Sequence, residues 1–421
     1  MVRAGARPAV PRVWVLVALA AVILVGVLAV RKQLRDANDF PIYWNAARAL
    51  LAGRSPYEVG TGLHGYVYLP WFAVAMVPLA MLPLPAAAWC WYALNIVFIV
   101  YACRALLGAL RAGGVELRPP LLALATLPLL GLFVDDLLLG QANLLLLWLV
   151  ALGIRATLRP GAAEHRGVPL GLASALKMPA AVLALPLLLA GRLRHVLGVA
   201  IALALAIGGP LVEGGSSGGV RLLEDWRAKV LAPAVAGTLQ GSNVIDQSPQ
   251  AALRRLLVAE PAFGDRSVNV AALDPATFAR VSRWVSVVFL AGYLLFWLVA
   301  PARGSPLALV TNLAMGCCAM VQLTGFSLKA QFVVLLLPAC LAASLAWRRP
   351  GRGPRIALGI AAALFLLSQP GLVGRTASNW MLAYSSMALG TLLLTKTLAW
   401  LRLTQPPSAA PAASPARGTA R

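Results

Sequence analysis

Acidic side chains are scarce in this chain: 14 Asp and Glu stand against 36 Lys and Arg in 421 residues. Only 12% of the residues are charged, while 60% are hydrophobic. That shortage of charge excludes a soluble globular domain of this length. Histidine is rare and scattered (His64, His165, His195), so a His-based zinc site is not expected. The five cysteines (Cys90, Cys103, Cys317, Cys318, Cys340) all fall inside apolar runs. They read as small packing residues rather than disulfides or metal ligands. No G-x-G-x-x-G follows a strand, and there is no Walker A motif and no D-x-D triplet, so nothing is built to hold a nucleotide. No regular array of buried charges marks a voltage sensor or a proton relay.

What the chain has in abundance is apolar sequence. Runs near the length needed to cross roughly 30 Å of hydrocarbon recur from end to end. They are continuous rather than alternating, which excludes a β-barrel and leaves helices. The expected fold is an all-α polytopic transmembrane helical bundle of about ten to twelve spans. Spans are expected at 13–30, 86–108, 119–134, 142–158, 194–212, 283–301, 306–323, 330–347, 356–373 and 380–401. Arg3, Arg7 and Arg12 precede the first run as in a signal peptide, but the run is long for one and lacks a small-residue cleavage site, so it reads as an uncleaved helix. Two regions are ambiguous. Tyr66 to Leu82 is short and carries Pro70 and Pro78, and Val168 to Ala190 is broken at Lys177-Met178-Pro179. If the first lies in the interface and the second is a broken hairpin, most short basic segments fall on one side, which the positive-inside rule makes cytoplasmic.

One membrane domain then covers 1–403, with long outer-face segments at 31–85 and 213–282. The Pro/Ala/Ser-rich residues 404–421 read as a disordered cytoplasmic tail. In the first outer segment Tyr43, Ala46, Ala47, Leu50 and Leu51 share one face at helical spacing, as in a helix lying in the interface. Gly53-Arg54-Ser55-Pro56 ends it. The net charge of +22 is carried mostly by single arginines between apolar runs. The bilayer is therefore the expected partner, and nucleic acid is not.

Within this frame a few polar residues are candidates for chemistry. Asp36 and Asp39 follow the first span, at the membrane boundary. They fit either a solvated loop or a reactive site. Phe40, Tyr43 and Trp44 read as interfacial belt aromatics, with Tyr43 also a candidate for binding substrate. Asp135 and Asp136 end the third span, and Gln141 and Asn143 enter the next one. Unpaired amides are unfavourable there, so each needs a partner on a neighbouring helix or a ligand. Lys177 interrupts an apolar run and must snorkel, pair or bind an anion. Arg254, Arg255, Lys329 and Arg375 lie on the same side, and such cations would suit a lipid phosphate. For Lys329 and Arg375, ordinary helix-end snorkelling is the simpler reading.

The stretch from Asp39 to Tyr57, D-x-x-x-Y-W-x-A-A-R-A-L-L-A-G-R-S-P-Y, resembles glycosyltransferase family 87. So do Y-L-P-W-F-A-V-A-M-V-P-L-A from Tyr68, G-Q-A-N-L-L-L-L from Gly140 and G-L-A-S-A-L-K-M-P from Gly171. The resemblance implies a GT-C-like membrane fold and an inverting transfer on the outer face of the plasma (inner) membrane. The donor would be a polyprenyl-phosphate sugar such as mannose or arabinose, and the acceptor a glycolipid or growing glycan. It implies that Asp39 is the general base. No cofactor is expected beyond the polyprenyl-phosphate sugar as donor substrate, and no obvious site requires a metal. Nearby cations would stabilise the departing lipid phosphate, with Lys177 and Arg254 or Arg255 as candidates. Two places depart from the family pattern. Asp246-Gln247-Ser248 stands where the family often has Asn-Gln-Ser. The turn Thr324 to Gln331 lacks the family's histidine and has Lys329 or Gln331 near its place. Two non-catalytic readings stand beside this one: a transporter of lipid-linked glycan, and a scaffold in envelope biogenesis.

Overall fold

The apolar runs form helices because lipid offers the backbone no other partner. The computed structural model describes residues 12–35, 38–60, 65–159, 161, 163–213, 215–235, 243–302 and 305–404. Asp36 and the tail 405–421 lie outside the described residues. Six helices are long and apolar enough to cross a membrane: Val13–Arg35, Leu84–Ala112, Pro119–Leu139, Leu193–Pro210, Pro275–Val299 and Lys329–Arg348. Five shorter apolar helices accompany them: Pro70–Ala80, Asn143–Thr157, Met178–Leu189, Pro306–Gln322 and Gly353–Leu367. The chain is an all-α polytopic helical bundle. Among the described residues the only β pairing is two isolated bridges, Asp246 with Leu328 and Phe263 with Arg266.

Burial sorts the helices by position. Lys329–Arg348 is 83% buried, whereas Val13–Arg35 and Pro275–Val299 are 17% and 22% buried. The first is therefore the centre of the bundle and the other two are its rim. Pro306–Gln322 is also central, with every residue from Ala308 to Gln322 buried. A 17-residue helix is short for a span, but one enclosed by protein need not match the bilayer.

The two ambiguous regions are short and broken as the sequence suggests, and two spans differ from their expected bounds. Tyr66 to Leu82 yields an 11-residue helix, Pro70–Ala80, about 16 Å long and too short to cross. The region 168–190 is broken at Lys177, whose extended backbone separates the helix Val168–Leu176 from a 3₁₀ turn, Met178–Leu183. The span expected at 380–401 is divided into Arg375–Ala383 and Ser386–Leu403. Ser385, at φ 61°, is the described non-glycine residue with left-handed backbone, and it makes that break. The span expected at 283–301 begins earlier, at Pro275, because the Asp274 side chain accepts from the amides of Ala276 and Thr277 and caps the helix.

Candidate active site

Asp39 is the first residue of the helix Asp39–Leu51. Free amides and the positive end of the helix dipole favour a carboxylate there. The preceding Asn38 side chain donates to the Lys32 carbonyl at 2.9 Å, which ties the helix start to the end of the first span. The buried face of this helix is Phe40, Tyr43, Ala46, Ala47 and Ala49. Leu51, expected on that face, is exposed. Phe40 and Tyr43 are not belt residues: both are fully buried. Tyr43 packs edge-on against Tyr68 and Phe72 at 5.2 Å between ring centroids, and its hydroxyl meets that of Tyr68 at 2.9 Å.

Against this helix lies the turn Gly140-Gln141-Ala142-Asn143. Gly140 ends the helix Leu130–Leu139 in left-handed conformation, φ 67°. A Cβ there would stand 2.7 Å from the Phe40 Cβ, so only glycine allows the two segments to approach so closely. The turn directs three polar groups inward. Gln141 Nε2 donates to Asp39 Oδ2 at 2.9 Å. Asn143 Nδ2 donates to Gln141 Oε1 at 2.6 Å and to Asp136 Oδ1 at 2.8 Å. Lys177 Nζ donates to Asn143 Oδ1 at 2.6 Å. Asp39, Gln141, Asn143, Asp136 and Lys177 thus form one continuous network drawn from four segments of the chain.

The network borders a cavity of about 240 Å³. Asp39, Tyr43, Tyr68, Gln141 and Lys177, with Thr324 and Gln331 from the later turn, supply its polar wall. Met178, Pro179, Trp226, Val230, Leu231 and Phe326 supply much of the apolar wall. Burial raises the Asp39 carboxyl above the usual carboxylate range, offset in part by the Gln141 hydrogen bond and the Lys177 charge. A carboxylate so placed is a stronger proton acceptor than one in water.

The other candidate cations lie elsewhere. Lys329 pairs with Asp135 at 2.7 Å, and neither lines the cavity. Arg254 forms a two-point pair with Glu260 at 2.6 and 2.9 Å and sits over the Phe278 ring. Arg255 is wholly buried. It donates to the carbonyls of Ala383, Asn243 and Asp246 and to Ser385 Oγ. The two family departures meet each other there. Asp246 Oδ1 accepts from the amides of Ser248 and Ser327, and the Gln247 amide donates to the Ser327 carbonyl. Among the described residues no three His, Cys, Asp or Glu side chains gather as metal ligands would.

The sequence model of glycosyltransferase family 87 matches residues 66–325, more than half of the chain. The chain belongs to glycosyltransferase family 87. No curated protein matches it significantly. The family 87 segment contains Asp136, Gln141, Asn143 and Lys177 but begins after Asp39. Asp39 is joined to it through the hydrogen bond to Gln141. The chain is thus a membrane glycosyltransferase.

Sequence reasoning missed the aromatic packing behind the site. Tyr57 and Tyr66 donate to the carbonyls of Tyr68 and Leu69, and Trp91 Nε1 donates to the Gly140 carbonyl at 2.9 Å. For the tyrosines the available signal was the density of aromatics between Tyr57 and Phe72; Trp91 lies within the long span Leu84–Ala112.

Proposed function

We propose that this glycosyltransferase moves a sugar from a polyprenyl-phosphate donor to a glycolipid or glycan hydroxyl at the outer face of the membrane, with inversion and with Asp39 as general base. The observation that carries the reading is a half-buried carboxylate and an ammonium, Asp39 and Lys177, in the wall of one cavity whose remaining surface is mostly apolar. An isoprenoid phosphate needs that combination: a cation for the phosphate and an apolar surface for the chain beside it.

The chemistry follows from the placement. The acceptor hydroxyl gives its proton to the Asp39 carboxylate as its oxygen attacks the anomeric carbon on the face opposite the phosphate. A new C–O bond forms, the bond from that carbon to the phosphate oxygen breaks, and the configuration inverts. The electron pair departs with the polyprenyl phosphate. Lys177 lowers the energy of that developing charge. Arg254 and Arg255 take no part, since their guanidinium groups are spent on Glu260 and on backbone carbonyls outside the cavity.

The test is Asp39→Asn in membranes supplied with polyprenyl-phosphate sugar labelled in the sugar. Loss of the base is expected to lower transfer by at least about 10²-fold, with the protein still present at its normal level. Undiminished transfer would remove Asp39 from the reaction.

A further inference from the structure

Asn143 is fully buried and does not line the cavity, yet it is the hub of the polar network. We infer that Asn143 and Gln141 form a one-way hydrogen-bond relay that orients the Asp39 carboxylate, its direction fixed by Lys177 and Asp136. The inference rests on the reading of Asp39 as the base.

An amide side chain keeps nearly the same shape when its oxygen and nitrogen exchange places, so its orientation follows from its neighbours. Lysine is donor-only, and an ionised aspartate is acceptor-only. Lys177 Nζ stands 2.6 Å from one end of the Asn143 amide, and Asp136 Oδ1 stands 2.8 Å from the other. Reversing Asn143 would set NH₂ against the ammonium and oxygen against the carboxylate. The two charges therefore hold Asn143 with its oxygen toward Lys177. Its NH₂ then also faces Gln141 at 2.6 Å, which obliges Gln141 to present its oxygen there. The Gln141 NH₂ is left to face Asp39 Oδ2 at 2.9 Å. Asp39 consequently receives the Gln141 hydrogen bond on Oδ2, with Tyr43 as a second hydrogen-bonding neighbour of the carboxylate. Two charges that do not touch the reacting hydroxyl thus set which end of the Gln141 amide meets the base. Asn143 and Gln141 are positioning residues in this sense.

The groups facing Asp39 are Gln141, Lys177, Asp136, Tyr43 and Tyr68. A donor on Oδ2 favours the ionised form, so its loss raises the pH below which the base is protonated and idle. The experiment uses the full chain in proteoliposomes with labelled polyprenyl-phosphate mannose or arabinose, whichever the wild type turns over. Asn143→Ala is compared with Asn312→Ala, a buried amide that donates to the Ala300 carbonyl at 2.9 Å far from the cavity. Expected for Asn143→Ala are a fall in kcat of at least about tenfold, a donor KM within about twofold of wild type, and an acid limb of the pH profile moved to higher pH. Asn312→Ala should leave the acid limb in place. Wild-type kcat and acid limb in Asn143→Ala overturn the relay, and so does an equal loss in both variants with the acid limb unmoved. If Asn143→Ala does not accumulate, Gln141→Glu carries the test. It keeps the shape but brings no NH₂ to Asp39, and wild-type kcat in it overturns the relay equally. Asp39→Asn in the same vesicles separates the two readings. Activity there sinks the base itself, whereas an inactive Asp39→Asn beside a normal Asn143→Ala sinks only the relay.

Discussion

Lys177, Arg254 and Arg255 are interchangeable on the page as outward cations, and their neighbours make them different residues. Lys177 faces the cavity and one amide oxygen. Arg255 is enclosed, and burial pulls its guanidinium down to about 10. It holds four oxygens from two segments, 243–246 and 383–385. Removing it leaves those oxygens without a donor, and a buried acceptor stripped of its partner is unfavourable by about 1–3 kcal/mol each. Arg255→Met is therefore expected to destabilise the protein by roughly 3–5 kcal/mol, read as a lower midpoint of thermal unfolding in detergent. Lys177→Met is expected to lower the midpoint less than Arg255→Met does and to lower transfer by about 10²-fold or more, the range seen when one donor to a developing anion is removed. The opposite pattern would make Arg255 the phosphate ligand and Lys177 a structural residue. Charge alone made all three legible as candidates. What sorted them was the partner each found in space, and spacing along the chain carries no record of that.

At the scale of elements, short motifs were legible where they encode a backbone requirement. The G-Q-A-N stretch is such a case: its glycine supplies a positive φ and admits Phe40, and its two amides supply the network. The need of Gln141 and Asn143 for partners followed from burial alone, but that the partners are Asp39, Asp136 and Lys177 did not. The break at 177 was visible in Lys-Met-Pro. The break at Ser385 was not, because no Gly or Pro marks it. It is held by Arg255, about 130 residues away, and its serine occupies a conformation that local sequence disfavours. These contacts make the Gly140 turn the most sensitive joint of the site. Gly140→Ala keeps every functional side chain but adds a methyl 2.7 Å from the Phe40 Cβ at a left-handed position. The backbone term alone is about 1–2 kcal/mol, and the overlap moves the turn away from the Asp39 helix. Transfer is expected to fall by roughly 10²-fold, with the protein still folded as judged by its unfolding midpoint. Wild-type transfer in this variant would show that the approach of the two segments is not what aligns Gln141 with Asp39.

At the scale of the whole molecule, the polar ends of the bundle separate by charge. Arg348 donates to the Gly114 carbonyl, Ser344 to that of Glu116 and Arg402 to that of Pro301. The basic connections near 111–118 and 348–355 are joined to each other by the first two contacts, and Arg402 is tied to the connection at 301 by the third. The opposite end gathers the Asp39 helix, the Gly140 turn, Lys177 and the Asp246–Ser327 junction. The positive-inside rule favours retention of arginine-rich connections in the cytoplasm because each cation resists translocation, and the prediction that follows is a cavity open to the outer face. That orientation is testable without any substrate. In a chain whose five cysteines are replaced by alanine, single cysteines are introduced at three exposed positions, Arg54, Asp265 and Arg352. Intact cells are treated with a maleimide that does not cross the membrane. Arg54→Cys and Asp265→Cys should label from outside, and Arg352→Cys only after the membrane is opened. The reverse pattern would put the cavity on the cytoplasmic side. An outer-face donor and acceptor would then be out of reach, while the hydrogen-bond network itself would stand unchanged.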